Sequence, residues 1–151
     1  MDTLTQDQCQ ALLEEEHVAH IGVITAEGPY VTPISFVSLG DGVAFRSLTG
    51  RRLNAIKENP RVSFEITEHN PETGSWRSVI ASGSATLIED PQQEASIIQQ
   101  LLQRYTESFN SLLGDTGPTL SQAFVVRVDF DGITGRSSGT FLQPKTRPGR
   151  L

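Results

Sequence analysis

The chain has 151 residues, 36% of them hydrophobic and 20% charged, with a formal net charge of −6. That length suits one domain with a real core, and the balance is ordinary for a globular protein. The acidity argues against general DNA or RNA binding, which draws affinity from neutralising phosphates, and no apolar run approaches the ~20 residues that span a bilayer.

The N-terminus carries Asp2 and no apolar stretch of the signal-peptide type, so no leader is expected. Residues 5–16 read as a helix. Thr5 and Gln8 have the spacing of a capping box, and Cys9, Leu12 and Leu13 form its apolar stripe. Cys9 is the single cysteine, which excludes an internal disulfide and agrees with a reducing compartment; the expected location is the cytoplasm. On that stripe it reads as a buried small hydrophobe, not a nucleophile.

Residues 18–26 are β-rich and end at the turn Glu27-Gly28-Pro29. A second strand covers 30–39, where Pro33 marks a bulge or an edge position. Gly40-Asp41-Gly42 turns into a third strand, 43–48. A short helix follows over 51–58, stopped by Asn59-Pro60. The fourth strand is 61–68, with Val62, Phe64 and Ile66 alternating. After a polar loop comes a long fifth strand, 76–89, in which Gly83 marks a bulge or a close backbone approach. Residues 90–113 read as a long helix with Pro91 in its first turn. A loop over 114–119 leads to the sixth strand, 124–130. The Pro- and Arg-rich end, 143–151, reads as a flexible C-terminal tail on a single domain of residues 1–142.

Between the third strand and the short helix stand Ser47, Thr49, Gly50, Arg51 and Arg52. Hydroxyls, a glycine and two arginines at a helix start make an anion site: the first N–H groups point outward and the macrodipole favours negative charge. Arginine adds forked donors that fit phosphate. The bland alternative is a solvated helix start with Arg51 or Arg52 paired to Glu58 or another acid. Because this cationic cluster interrupts an acidic chain, the expected ligand is a phosphate-bearing small molecule and not a nucleic acid. His17 and His20 are three apart on a strand and point to opposite faces, and His69 lies in another segment, so no metal site is expected. There is no Gly-x-Gly-x-x-Gly, Walker loop or nucleophile elbow.

Six strands with mostly short connections exclude a doubly wound parallel sheet. An antiparallel barrel with flanking helices, mainly β with some α, is expected.

In order, Pro29-Tyr30-Val31-Thr32-Pro33-Ile34-Ser35-Phe36-Val37, Phe45-Arg46-Ser47 with Gly50-Arg51-Arg52-Leu53, Asn59-Pro60-Arg61-Val62-Ser63-Phe64, and Arg77-Ser78-Val79 with Gly83 resemble the FMN-binding split barrels related to pyridoxamine 5'-phosphate oxidase, above all the small nitroimidazole-reductase-like members. The resemblance covers the first helix to Gly135-Arg136 and implies a six-stranded antiparallel split β-barrel. It implies that Arg51 and Arg52 hold the FMN phosphate with Ser47 beside it. It also implies that Ile34, Ser35 and Phe36 contact the ring and ribityl chain. Ser78 stands where the oxidase has a glutamine near the flavin. Arg46 stands where relatives often have Tyr or His, and either adds a phosphate contact or projects elsewhere. Thr49 belongs to the same turn. Trp76 reads as a stacking, interface or core residue, and Arg136 as a residue that reaches a flavin held mainly by a partner chain. The oxidase's C-terminal substrate-binding motif is absent from this sequence, so oxidation of pyridoxamine phosphate is not expected.

The implied function is an FMN-dependent oxidoreductase, a homodimer with flavin at the subunit interface. It would pass hydride between a reduced nicotinamide and a small acceptor such as a nitro compound or quinone. The alternatives are a non-enzymatic flavin- or haem-binding sensor or carrier, and a reductase using a deazaflavin coenzyme.

Overall fold

The computed structural model describes residues 1–105 and 123–138. The described elements run β1 (Asp2–Thr3), α1 (Gln6–Glu15), β2 (Val18–Thr25), β3 (Gly28–Ser38), β4 (Gly42–Leu48), α2 (Arg51–Glu58), β5 (Arg61–His69), β6 (Trp76–Leu87), α3 (Pro91–Arg104) and β7 (Ala123–Ser137). The sheet order is β1-β7-β4-β3-β2-β5-β6, and β6 also pairs with β7. That last ladder closes six antiparallel strands into the expected barrel, with β1 as an extra short strand on β7. The expected loop at 114–119, the last turns of the helix expected to reach residue 113, and the tail from residue 143 lie outside the described residues.

Alternation builds the barrel core. Ala19, Ile21 and Val23 of β2, Val62, Phe64 and Ile66 of β5, and Val43 and Phe45 of β4 are all buried in one cluster. Inside it, Phe36 and Phe64 meet edge to face at 5.1 Å, a geometry that adds to the area they bury. Helix α1 closes one end of the barrel. Its capping box forms as expected: the Gln8 N–H donates to Thr5 Oγ1 (3.2 Å), and the Thr5 N–H donates to Gln8 Oε1 (2.8 Å). Cys9, Leu12 and Leu13 are fully buried, and burial pushes the Cys9 thiol above its usual range, as for an inert core cysteine. Cys9 rests directly over Gly135 of β7, where a Cβ would stand only 2.6 Å from its sulfur.

Helix α3 covers the outside of the barrel. Ile97, Leu101 and Tyr105 pack on Val37, Ala44 and Val125 in a second cluster. Tyr105 fixes this packing. Its hydroxyl accepts from the Phe36 N–H (3.1 Å) and lies within donor reach of the carbonyls of Phe36 (2.5 Å) and His17 (2.7 Å). Phe36 begins the ladder to β4, so the phenol anchors β3 where the pairing starts. Tyr105→Phe is expected to destabilise the fold by about 1–3 kcal/mol in denaturant unfolding, because it strands buried backbone groups while removing no apolar volume.

Two glycines mark crowded backbone. A Cβ on Gly42 would stand 2.0 Å from the Val128 carbonyl oxygen, and one on Gly83 would stand 2.2 Å from that of Asp129. Gly83 also sits at a register shift: Ser82 pairs with Gly132 and Gly83 with Phe130, leaving Asp131 as the extra residue. Both features expected at Gly83 are therefore present. Pro33 pairs with His20 in the stretch of β3 that has only β2 beside it, so its missing N–H costs no ladder bond.

Candidate functional site

The β3–β4 ladder holds only three pairs, Phe36–Phe45, Val37–Ala44 and Ser38–Val43. Beyond Phe36 the strands part, which is the split in the barrel. Arg52, on the first turn of α2, reaches into this opening. Its Nε donates to Ser47 Oγ on β4 (3.2 Å), and its Nη1 donates to Thr32 Oγ1 (3.0 Å) and the Pro33 carbonyl (3.4 Å) on β3. The guanidinium thus bridges the two edges that no ladder joins. Its Nη2 makes no hydrogen bond among the described residues, which leaves two N–H donors beside a helix N-terminus. Gly50 caps that helix without a side-chain hydrogen bond, so the first N–H groups of α2 keep their donors as well. Burial lowers the Arg52 pKa, partly offset by Tyr30, but arginine holds its charge. A half-buried cation with two unused donors fits the two-point geometry of a phosphate.

Arg51 is placed differently. It is exposed, pairs with Glu27 (3.0 Å) and lies 4.4 Å over the Tyr30 ring. A groove of about 640 Å³ runs along this side of α2, lined in part by Glu27, Gly50, Arg51, Asn54 and Glu58. Two carboxylates border it, so a phosphate is better matched on the Arg52 side. Thr49 is exposed at the turn between β4 and α2. Ser47 is buried at 1% exposure and accepts from Arg52. Arg46, its neighbour on β4, faces the other way. It is half-buried, its pKa is lowered by burial, and Glu94 of α3 acts on it in the opposite sense. The sequence placed Arg46 and Ser47 in one motif, but strand alternation sends them to opposite sides of the sheet.

The ring-contact candidates separate in the same manner. Ile34 and Phe36 point into the core, and Ser35 between them points outward. Ser78 lies on the outer face of β6 and donates to Glu65 Oε1 (3.0 Å). Arg136 of β7 is the exposed register partner of Ser78. Trp76 is half-buried at the start of β6, its backbone N–H donating to Ser138 Oγ (3.0 Å). Near Ser78 the sequence reading missed Glu65 and its pairing with His20, which it had weighed only as a metal ligand; His20 Nδ1 is 3.5 Å from Glu65 Oε2. Their alternation on β2 and β5 was legible, but nothing local signals that those strands are neighbours.

The described residues contain no cluster of three or more His, Cys, Asp or Glu that could hold a metal, and no helix among them is long and apolar enough to cross a membrane.

Comparisons with known proteins agree with the barrel fold. An uncharacterised protein from Rhizobium meliloti is 25% identical over 80 residues, 53% of this chain; the match spans about half of that relative's length (52%). An FAD-binding protein from Mesorhizobium loti superposes with a TM-score of 0.77 at 20% identity, over 91% of this chain and 98% of that one. A candidate 5-nitroimidazole antibiotic resistance protein from Bacteroides thetaiotaomicron does so with a TM-score of 0.73 at 19% identity, over 90% and 86%. The sequence pattern of the pyridoxamine 5'-phosphate oxidase family matches residues 5–137, nearly all of the barrel, and the chain belongs to that family.

Proposed function

We propose that this protein binds FMN and acts as an oxidoreductase, passing hydride between a reduced nicotinamide and a small acceptor. The observation that carries the reading is Arg52, half-buried in the split, whose Nη2 makes no hydrogen bond among the described residues beside the uncapped start of α2. In this reading Arg52 and the first N–H groups of α2 hold the phosphate, Ser47 and Thr32 keep the guanidinium in place, and Arg51 screens the site from Glu27. A bound flavin supplies the redox chemistry, and the protein supplies binding, orientation and electrostatics. Structural relatives named as FAD-binding support a flavin as the cofactor.

The outer face of the sheet is where a ring is expected to lie. It carries Val18, Val31 and Ile80, each more than half exposed. A ring on an open face keeps one side in water, and ligand sites favour clefts between subunits. A two-fold dimer supplies the second wall, covers these apolar side chains and gives two equivalent sites. The proposed assembly is therefore a homodimer of the 16.5 kDa chain, each flavin contacted by both copies.

The deciding experiment is reconstitution followed by visible spectroscopy, comparing FMN with riboflavin. FMN is expected to bind at least tenfold more tightly, since only FMN carries the phosphate. Equal affinity for both would overturn the Arg52 site. A Soret band from the purified protein, with no flavin absorption, would transfer the site to haem. Light scattering of the loaded protein is expected to give twice the protomer mass.

A further inference from the structure

On the outer face of the barrel, β2 presents Val18, His20, Gly22 and Ile24. His20 stands between Pro33 of β3 and Glu65 of β5, its two register partners. Its Nδ1 lies 3.5 Å from Glu65 Oε2. The other carboxylate oxygen accepts from Ser78 Oγ (3.0 Å) and from the Thr67 hydroxyl. Two hydroxyls from two strands thus hold the carboxylate beside the imidazole. Nε2 makes no hydrogen bond among the described residues. In a neutral ring protonated at Nδ1, on the Glu65 side, Nε2 is an acceptor; in the imidazolium it is a donor.

The surroundings form a flat shelf. Gly22, two residues on, adds no side chain, and a Cβ built there would meet only Ser63 and Val31, at 3.8–3.9 Å. Val18, Val31 and Ile80 are exposed nearby at 54%, 62% and 54%. The shelf also adjoins the phosphate site. The Pro33 carbonyl accepts from Arg52, and Pro33 is paired with His20, so their Cα atoms are about 5 Å apart. An exposed His–Glu pair does little for stability, which leaves this arrangement without a structural purpose.

We infer that His20, oriented by Glu65, contacts the ring of the bound flavin and favours its reduced, negatively charged form. This rests on the flavin reading above. The ring gains negative charge on two-electron reduction by hydride, and an imidazolium backed by a carboxylate compensates that charge, its proton coming from water. Glu65 is a positioning residue, acting only through His20.

The test is the affinity of the protein for oxidised and for reduced FMN, measured anaerobically at one pH. His20→Ala is expected to leave oxidised FMN bound and to lower the preference for reduced FMN at least tenfold, a fall of about 30 mV in the two-electron potential. Glu65→Gln is expected to shift the potential in the same direction. Arg52→Ala serves as the contrast: acting on the phosphate, it weakens both redox forms equally and leaves the potential unchanged. The His20 and Glu65 side chains lie on the outer face, at 54% and 32% exposure, so their variants spare the core. An unchanged potential in His20→Ala with FMN still bound would overturn this inference and leave the flavin reading standing. Failure of the wild-type protein to bind either form would remove both.

Discussion

Arg52→Ala is expected to weaken FMN binding by one to two decades while riboflavin binding stays unchanged. The side chain holds two donors at Nη2 next to the start of α2, and losing a charge-assisted contact costs about 1.5–3 kcal/mol. Arg51→Ala should do much less, because Arg51 is exposed and already paired with Glu27. Arg52 also joins β3 to β4 through Thr32, Pro33 and Ser47, so its loss should lower stability somewhat as well. The two effects are separable. A flavin titration below the melting transition reports affinity, and the melting curve without flavin reports the bridge. Unchanged FMN affinity in a protein folded by circular dichroism would remove Arg52 from the phosphate site.

Gly83→Ala is expected to be, with Gly42→Ala, among the most damaging single-methyl changes in the barrel wall. Its Cβ would stand 2.2 Å from the Asp129 carbonyl oxygen and 2.9 Å from the carbonyl carbon. These are backbone atoms in the β6–β7 ladder that closes the barrel, so no side-chain rotation relieves the contact. Overpacking that must move backbone costs about 3 kcal/mol or more, which lowers the melting temperature of a chain this size by roughly 10 °C. Gly22→Ala is the control: its Cβ would find only ordinary contacts at 3.8–3.9 Å, so stability should stay within about 0.5 kcal/mol of wild type. Equal melting temperatures for the two variants would show that the β6–β7 approach is looser than its geometry.

Local chemistry made several parts of this protein legible in the sequence. The capping box of Thr5 and Gln8, the stop of α2 at Asn59-Pro60 and the alternation of β5 depend only on neighbours within a few residues. The cationic turn was legible for the same reason, since Ser47 and Arg52 are five residues apart and meet across one turn. Strand β7 was read short, as 124–130, because Asp129, Asp131 and Gly132 look like a turn. In the barrel they form a bulge, and the strand bends and runs on to Ser137. The pair of residues in β1 is too short to carry any period.

The sequence by itself determined most of the secondary elements, the antiparallel class and the cationic turn, because periodicity and turn chemistry are properties of short windows. Only the tertiary structure decided which side of the sheet each candidate occupies and which strands adjoin. Closure through β6 and β7 puts Arg136 opposite Ser78, and the β2–β5 ladder puts His20 beside Glu65, 45 residues along the chain by their numbers. The divided duties of Arg51 and Arg52 arise in the same way. They are adjacent in sequence, yet a helix turns each residue by about 100° from the last. That rotation sends Arg52 into the split between β3 and β4 and leaves Arg51 outside it with Glu27. Contacts of this kind depend on the closed path of the barrel, and no window of the sequence contains that path.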